Sequence, residues 1–271
     1  MKAELVDIGI NLAHDSFDAD RERVLARAHE AGVVQMVVTG SSLESTRRAI
    51  ELVRSHPGVL HATAGVHPHH ARDLHEHHLP ELAALLRAPE VVASGECGLD
   101  FFRNYSPHAD QERAFRWQLE LAARIGRPVF LHQRDAHTDF MRVLREFLPA
   151  LRGGVAHCFT GNAAELDDYL AAGLSIGITG WICDERRGAH LKELVARIPA
   201  DRLMLETDGP YLLPRDLSPK PATRRNEPMY LAHVLKAVAS ARGESPAQVA
   251  AATTANARRF FNLQTTNPSL E

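Results

Sequence analysis

The sequence predicts an α/β fold of the (β/α)8 or TIM-barrel type, and three observations carry that expectation. Eight short apolar runs, near 4–11, 33–40, 60–66, 90–96, 128–132, 154–158, 174–178 and 203–208, alternate with segments of helical periodicity. Their starts lie 29, 27, 30, 38, 26, 20 and 29 residues apart, the length of one strand, one helix and two short loops. Glu96, His132, His157 and Asp208 each sit at or just past the C-terminal end of one of these runs. A parallel barrel gathers those ends on one face, so four ligand-capable side chains far apart in the chain are expected to converge there.

Taken in order, the first run is Glu4-Leu5-Val6-Asp7-Ile8-Gly9-Ile10, rich in β-branched residues. Segments 18–31, 43–55, 108–125, 138–148 and 163–172 carry apolar residues at helical spacing between later strands. Gly32, Gly126 and Gly173 stand where a left-handed C-cap would close three of them. After the eighth strand comes a long loop, 209–228, with prolines at 210, 214, 219, 221 and 228; a loop of this length on the strand-end face is usually functional. Helices over 229–242 and 246–260 follow. No internal repeat or linker composition divides the chain, so one domain over 1–263 is expected, with 264–271 a flexible tail.

Composition bounds the function. At 271 residues with 45% hydrophobic and 24% charged residues, the chain belongs with ordinary globular proteins. Three cysteines with no CxxC pair argue against a disulfide framework. The strand-like start without a basic and apolar leader, and the lack of any run of about 18 apolar residues, predict a cytoplasmic protein with no membrane role. Net charge is 31 − 34 = −3, so no global field draws the chain to nucleic acid; a local basic patch remains sufficient for an enzyme that must release its product.

Two imidazoles and two carboxylates form a mixed N/O set suited to Mg²⁺, Mn²⁺ or Zn²⁺ rather than to a soft metal. Such an ion polarises a phosphoryl oxygen and acidifies its bound water, and Asp208 is the candidate to accept the proton. The cysteines next to ligands, Cys97 and Cys158, are expected to alternate to the other side of their strands as buried thiols. Of His69, His70, His75, His77 and His78, the stretch reads as a solvated loop and helix start.

Six blocks together resemble a known family: Gly65-Val66-His67-Pro68-His69, Gly95-Glu96-Cys97-Gly98-Leu99-Asp100, His132-Gln133-Arg134-Asp135-Ala136, His157-Cys158-Phe159-Thr160-Gly161, Glu206-Thr207-Asp208-Gly209-Pro210-Tyr211-Leu212 and Arg225-Asn226-Glu227-Pro228. They are similar, in the same order, to the TatD-type metal-dependent deoxyribonucleases, a branch of the amidohydrolase-like barrels of the metallo-dependent hydrolase type. The resemblance covers residues 5 to about 261. It implies that Glu96, His132, His157 and Asp208 hold a divalent metal, with Asp208 and His67 close to the reacting phosphate. It also implies 3′ to 5′ exonuclease action on single-stranded DNA, and on RNA as a second substrate.

The wider family opens with Asp-x-His-x-His, whereas this chain has Asp7-Ile8-Gly9-Ile10-Asn11. The resemblance therefore implies one principal ion, Mg²⁺ before a tightly held zinc pair. On the same face Arg134, Arg186, Arg187, Arg224, Arg225, Lys220 and His69 are candidate substrate contacts, with Phe101, Phe102, Tyr105 and Trp181 as stacking surfaces. The alternative reading is a hydrolase of a small-molecule amide, lactone or phosphoester on the same barrel. No lysine lies on any of the eight strands, which counts against a carbamylated-lysine metal bridge in that alternative. A monomer working in DNA repair completes the expectation.

Overall fold

In the computed structural model, which describes residues 3–264, eight parallel strands form one sheet in the order β1-β2-β3-β4-β5-β6-β7-β8. They are β1 (Leu5–Ile10), β2 (Val33–Val38), β3 (Leu60–Ala64), β4 (Val91–Asp100), β5 (Val129–Arg134), β6 (Gly154–Ala156), β7 (Ser175–Ile178) and β8 (Leu203–Leu205). Each predicted strand is present. The first and last strands are joined just beyond β8: Asp208 N–H donates to the Gly9 carbonyl at 2.8 Å, and Asn11 N–H to the Gly209 carbonyl at 2.8 Å. The expected flexible tail 264–271 lies outside the described residues except for Gln264.

Helices α1 (Arg21–Glu30), α2 (Leu43–Arg54), α3 (Leu79–Arg87), α4 (His108–Ile125), α5 (His137–Phe147), α6 (Ala163–Ala171) and α7 (Leu191–Val195) follow the first seven strands, and α8 (Leu231–Arg242) and α9 (Pro246–Phe261) follow the last. Local chemistry sets their ends. Ser42 and Ser45 form a capping box at the start of α2, and Asn162 with Glu165 does so for α6. Gly32, Gly126 and Gly173 close α1, α4 and α6 in the left-handed conformation, at φ 97°, 78° and 78°. Of the helices without a predicted range, α3 bears out the helix start read at the His-rich stretch, and α7 is the one the sequence does not show. α3 starts directly behind the His-rich stretch with Pro80 in its first turn, and α7 has only five residues, too few to show a period.

Two apolar layers hold this together. Inside the barrel, Val6, Ile8, Val37, Ala93, Phe130, Val155 and Met204 fill the lumen, and Phe261 and Leu263 at the end of α9 complete the same cluster. Outside it, the other faces of the strands pack on the helices. α9 is fixed by side chains reaching backbone: Thr254 Oγ1 donates to Glu4 O at 2.8 Å, and Asn256 Nδ2 to Ala200 O and Leu203 O at 2.7 and 2.8 Å. With α9 set against the starts of β1 and β8, the opposite, strand-end face is left for chemistry. Among the described residues no helix is long and apolar enough to cross a membrane.

Candidate metal centre

Glu96 lies at the middle of that face because β4 is pressed onto β5. Gly95 and Gly98 flank the turn at φ 143° and 147°, and a Cβ at either would collide with the backbone oxygens of Phe130 and His132. The pairing register shifts between Ser94 and Cys97, a bulge of the kind that re-aims side chains beside active sites. Its backbone N–H is held by Gly40 O at 2.8 Å. Glu96 Oε1 then meets three imidazole nitrogens: His157 Nε2 at 2.8 Å, His132 Nδ1 at 2.9 Å and His67 Nε2 at 3.3 Å. Burial opposes ionisation of this carboxyl, but His157, His67 and His132 outweigh it and hold the group well below the usual carboxylate range.

Each imidazole has a second partner, and that partner assigns the ring's protons. His157 Nδ1 faces Glu206 Oε2 at 3.2 Å, so a proton there leaves the Nε2 lone pair aimed inward. His132 Nε2 faces Asp100 Oδ2 at 3.3 Å, which likewise frees Nδ1. His67 is wired in reverse: its Nδ1 accepts from His69 N–H at 3.1 Å, which puts the proton on Nε2. Burial lowers the His67 pKa to about 4 and keeps the ring neutral. For His157, burial alone would depress the pKa; Glu96 and Glu206 instead raise it well above the ordinary value, so in the absence of a cation the ring tends to charge.

Asp208 leaves β8 in the left-handed region, at φ 56°, and Asn11 Nδ2 donates to its Oδ1 at 3.2 Å. Burial pushes its pKa up to about 7, His157 opposing and Glu96 and Glu206 adding to the rise. A carboxyl this far from water beside two others is stabilised as an anion by a cation in the same space. His67, Glu96 and His132 have donor atoms within 4.8 Å of one another. They share with His157 and Asp208 the lining of one cavity of about 460 Å³. A divalent ion therefore fits these residues, in a site of nitrogen and oxygen donors backed by further carboxylates.

Those backing carboxylates, Asp100 and Glu206, had no role in the sequence reading. Asp100 is buried, joins His132 to His69 Nε2 at 2.9 Å, and accepts from the N–H groups of Phe102 and Arg103 at 3.1 and 2.8 Å. Glu206 also accepts from Cys158 N–H. It occupies a cradle that side chains would fill: a Cβ on Gly9 would come within 2.5 Å of Glu206 Oε2, and one on Gly177 would also strike this carboxylate. Gly9 on β1 thus makes room for the acid that follows β8. Glu206 lies just past the end of β8 and two residues before Asp208, and that strand-end position is the available signal.

The substrate candidates divide. Arg134 lines the cavity with its guanidinium over Phe102 at 4.3 Å and near Trp181 at 6.0 Å, and His69 lines it beside Tyr105. Arg224 and Lys220 are not at this cavity but at a neighbouring one of about 630 Å³; Trp181 walls both. Arg225 is turned away and committed: NH1 and NH2 reach Asp20 at 2.8 Å each, and NH2 reaches Glu227 at 2.8 Å. Phe101 stacks on His108 at 3.6 Å, and Phe102, Tyr105 and Tyr211 are exposed around the mouth. Within the His-rich stretch His69 and His70 reach the cavity, while His75, His77 and His78 cluster on one another outside it.

One expectation about cysteines is corrected. Cys97 is buried as foreseen, but Cys158 is partly exposed and lines the cavity, because its left-handed backbone, φ 47°, breaks the alternation of the strand. Burial, with Asp208 and Glu206 nearby, raises the Cys158 thiol well above its ordinary pKa, so it stays protonated and is no nucleophile.

Comparison with known proteins supplies the family. A model described as TatD-related DNase matches residues 6–262. The 3′-5′ ssDNA/RNA exonuclease TatD of Erwinia tasmaniensis is 52% identical over 96% of this chain and 100% of its own. The protein of the same name from Pantoea vagans is 53% identical over 96% and 100%. Among solved structures, the TatD homologue YjjV of Escherichia coli superposes with a TM-score of 0.88 at 28% identity, covering 97% and 100% of the two chains. A TatD-family hydrolase from Entamoeba histolytica gives 0.85 at 27% identity, covering 96% and 98%.

Proposed function

The chain belongs to the TatD-related DNase family, and on that premise we propose that it is a metal-dependent 3′ to 5′ exonuclease acting on single-stranded DNA and RNA. The observation that carries the mechanism is the opposite wiring of three histidines around one carboxylate. His157 and His132, each backed by an acid, present lone pairs and serve with Glu96 and Asp208 as ligands. His67, backed by a backbone N–H, presents a proton.

When bound, a divalent ion supplies Lewis acidity toward a phosphoryl oxygen and lowers the pKa of water at the site. The protein's own groups do the rest. Asp208, held as an anion beside the bound ion, takes the proton of the attacking water. His67 donates from Nε2 to a non-bridging oxygen of the scissile phosphate and needs no charge to do so. Asp100 and Glu206 keep the rings of His132 and His157 in one tautomer and one orientation. Arg134, His69 and the exposed rings of Phe102, Tyr105 and Tyr211 receive the strand at its end, phosphate against cation and base against ring. Arg224 and Lys220 meet the phosphates that follow.

We assign Mg²⁺ as the working ion, supported by the absence of thiolate from the ligand set; Mn²⁺ and Zn²⁺ suit the same donors. Three free cysteines support a cytoplasmic setting. Among the described residues the exposed large apolar side chains are Phe102, Tyr105 and Tyr211, all at or beside the cavity, which supports a single-domain monomer. The broader role we assign, DNA repair, rests on 3′-end trimming alone.

The test uses single-stranded DNA carrying a 5′ label, with Mg²⁺, in the presence and absence of chelator. The expected product is a ladder shortened stepwise from the 3′ end, abolished by chelator and reduced at least about a thousandfold in Asp208→Asn, the scale of losing a general base and a charge site together. Equal digestion by the variant, or release of the labelled 5′ nucleotide first, overturns the reading.

A further inference from the structure

Outside the catalytic cavity a second group of ligand-capable side chains meets, built from three different elements. Cys183 ends the 3-10 turn Gly180–Cys183 that follows β7 and carries Trp181. Asp216 belongs to the long loop after β8. His233 stands in the first turn of α8. One donor atom from each lies within 4.8 Å of the other two. His233 Nε2 meets Asp216 Oδ1 at 2.7 Å, and the buried thiol of Cys183 lies within 4.8 Å of both.

We propose that Cys183, Asp216 and His233 form a structural cation site for a borderline metal of the Zn²⁺ class, which ties the loop after β8 to the barrel wall. The donor chemistry selects the ion. One sulfur, one nitrogen and one oxygen suit Zn²⁺, while Mg²⁺, which demands oxygen donors in octahedral array, is poorly served. The central site, with nitrogen and oxygen donors only, takes Mg²⁺, Mn²⁺ or Zn²⁺, so a thiolate ligand is what distinguishes the second site from it.

The geometry requires little change. Zinc bonds of about 2.0–2.3 Å place tetrahedral ligands roughly 3.3–3.8 Å apart. The 2.7 Å pair opens and the remaining separations close by up to about 1.5 Å, movement shared between Asp216 on its loop and the His233 side chain. As the sulfur–metal bond forms, the thiol proton of Cys183 passes to solvent, and water completes the fourth position.

The location gives the tie a purpose. The regular structure ends with β8 at Leu205 and resumes only at the 3-10 turn Pro228–Tyr230, so a loop of more than twenty residues depends on a few anchors. One end is held by Arg225, bound to Asp20. The middle, which carries Leu212, Pro214, Lys220 and Arg224 into the wall of the 630 Å³ cavity, is paired to the β7 turn through Arg215 and Asp184 at 3.7 Å, and Asp216 stands next to Arg215 against both Cys183 and His233. A cation there fixes that wall by coordination, a stronger constraint than one partly exposed ion pair.

The experiment takes the full chain with excess Mg²⁺ and adds Co²⁺ as a coloured substitute for zinc. The expected result is one equivalent of Co²⁺ giving a near-ultraviolet thiolate-to-metal band that is lost in Cys183→Ser and kept in Cys158→Ser, the second variant removing the thiol beside the catalytic cavity. His233→Ala, which leaves the buried thiol in place, should weaken Co²⁺ binding at least tenfold. Zn²⁺ should slow tryptic cleavage after Arg215 and Arg224 severalfold in the unaltered protein and not in His233→Ala. Absence of the band, its survival in Cys183→Ser, its loss in Cys158→Ser, or equal cleavage with and without Zn²⁺ overturns the proposal.

Discussion

Two arginines on the strand-end face, Arg134 and Arg225, show how differently the flanks of one barrel mouth use the same side chain. Arg134, at the end of β5, faces the cavity against Phe102 and Trp181, aromatic neighbours that leave its charge for a ligand. Arg225, at the end of the long loop, is part of a closed square of charge: it binds Asp20 and Glu227, and Arg27 reaches the same two acids at 3.4 and 2.8 Å. One flank keeps cationic charge for an incoming anion, while the other neutralises itself and bolts the loop to α1. The lesson is that an arginine near a site is informative only once its carboxylates are counted.

The comparison breaks most readily at the bolted flank. Arg225→Ala leaves Asp20 and Glu227 with one cation fewer at side chains 15% and 10% exposed. The expected loss is about 2 kcal/mol, or roughly 4–8 °C in Tm, with KM for single-stranded DNA unchanged within about twofold. A large rise in KM with unchanged Tm would reverse the roles given to the two arginines. Acid titration sharpens the point. Hydrogen bonding to Arg225 holds the Asp20 carboxyl at about 2 against an ordinary 3.8, so this contribution is full above the unfolded value and is lost as pH falls toward 2. The Tm gap between the variant and the unaltered protein is therefore constant above about pH 5 and narrows below it.

At the free flank the effect is on binding. Arg134→Ala should raise KM about tenfold, the equivalent of 1.4 kcal/mol, with kcat and Tm little changed. The smallest expected change is in salt dependence: if Arg134 neutralises one phosphate, the slope of log affinity against log salt falls by about 0.7 in the variant. An unaltered slope would mean that Arg134 acts as a stacking surface and not as a charge.

Much of this was legible in the chain. The eight strands, the placement of His157 and Asp208 just past strand ends, and the three glycine caps follow from local pattern, whereas Glu96 and His132 lie inside strands that run on to Asp100 and Arg134. What escaped depends on partners distant along the chain. Asp100 takes its role from His132, 32 residues on, and Glu206 from His157, 49 residues back. The bond between Arg225 and Asp20 spans 205 residues, and no local rule predicts it. Cys158 misled because alternation holds only while the backbone stays extended.

The seam of the barrel carries a last implication. Asp208 offers its side chain to catalysis while its amide stitches the end of the sheet to its beginning, through the Gly9 carbonyl, and Asn11 returns the stitch to Gly209. Opening at this joint therefore releases the backbone that positions the reactive carboxylate. Hydrogen exchange at the amides of Asn11 and Asp208 would then clock inactivation directly, and any chain rearrangement that parts the first strand from the last forfeits the chemistry before it forfeits the fold.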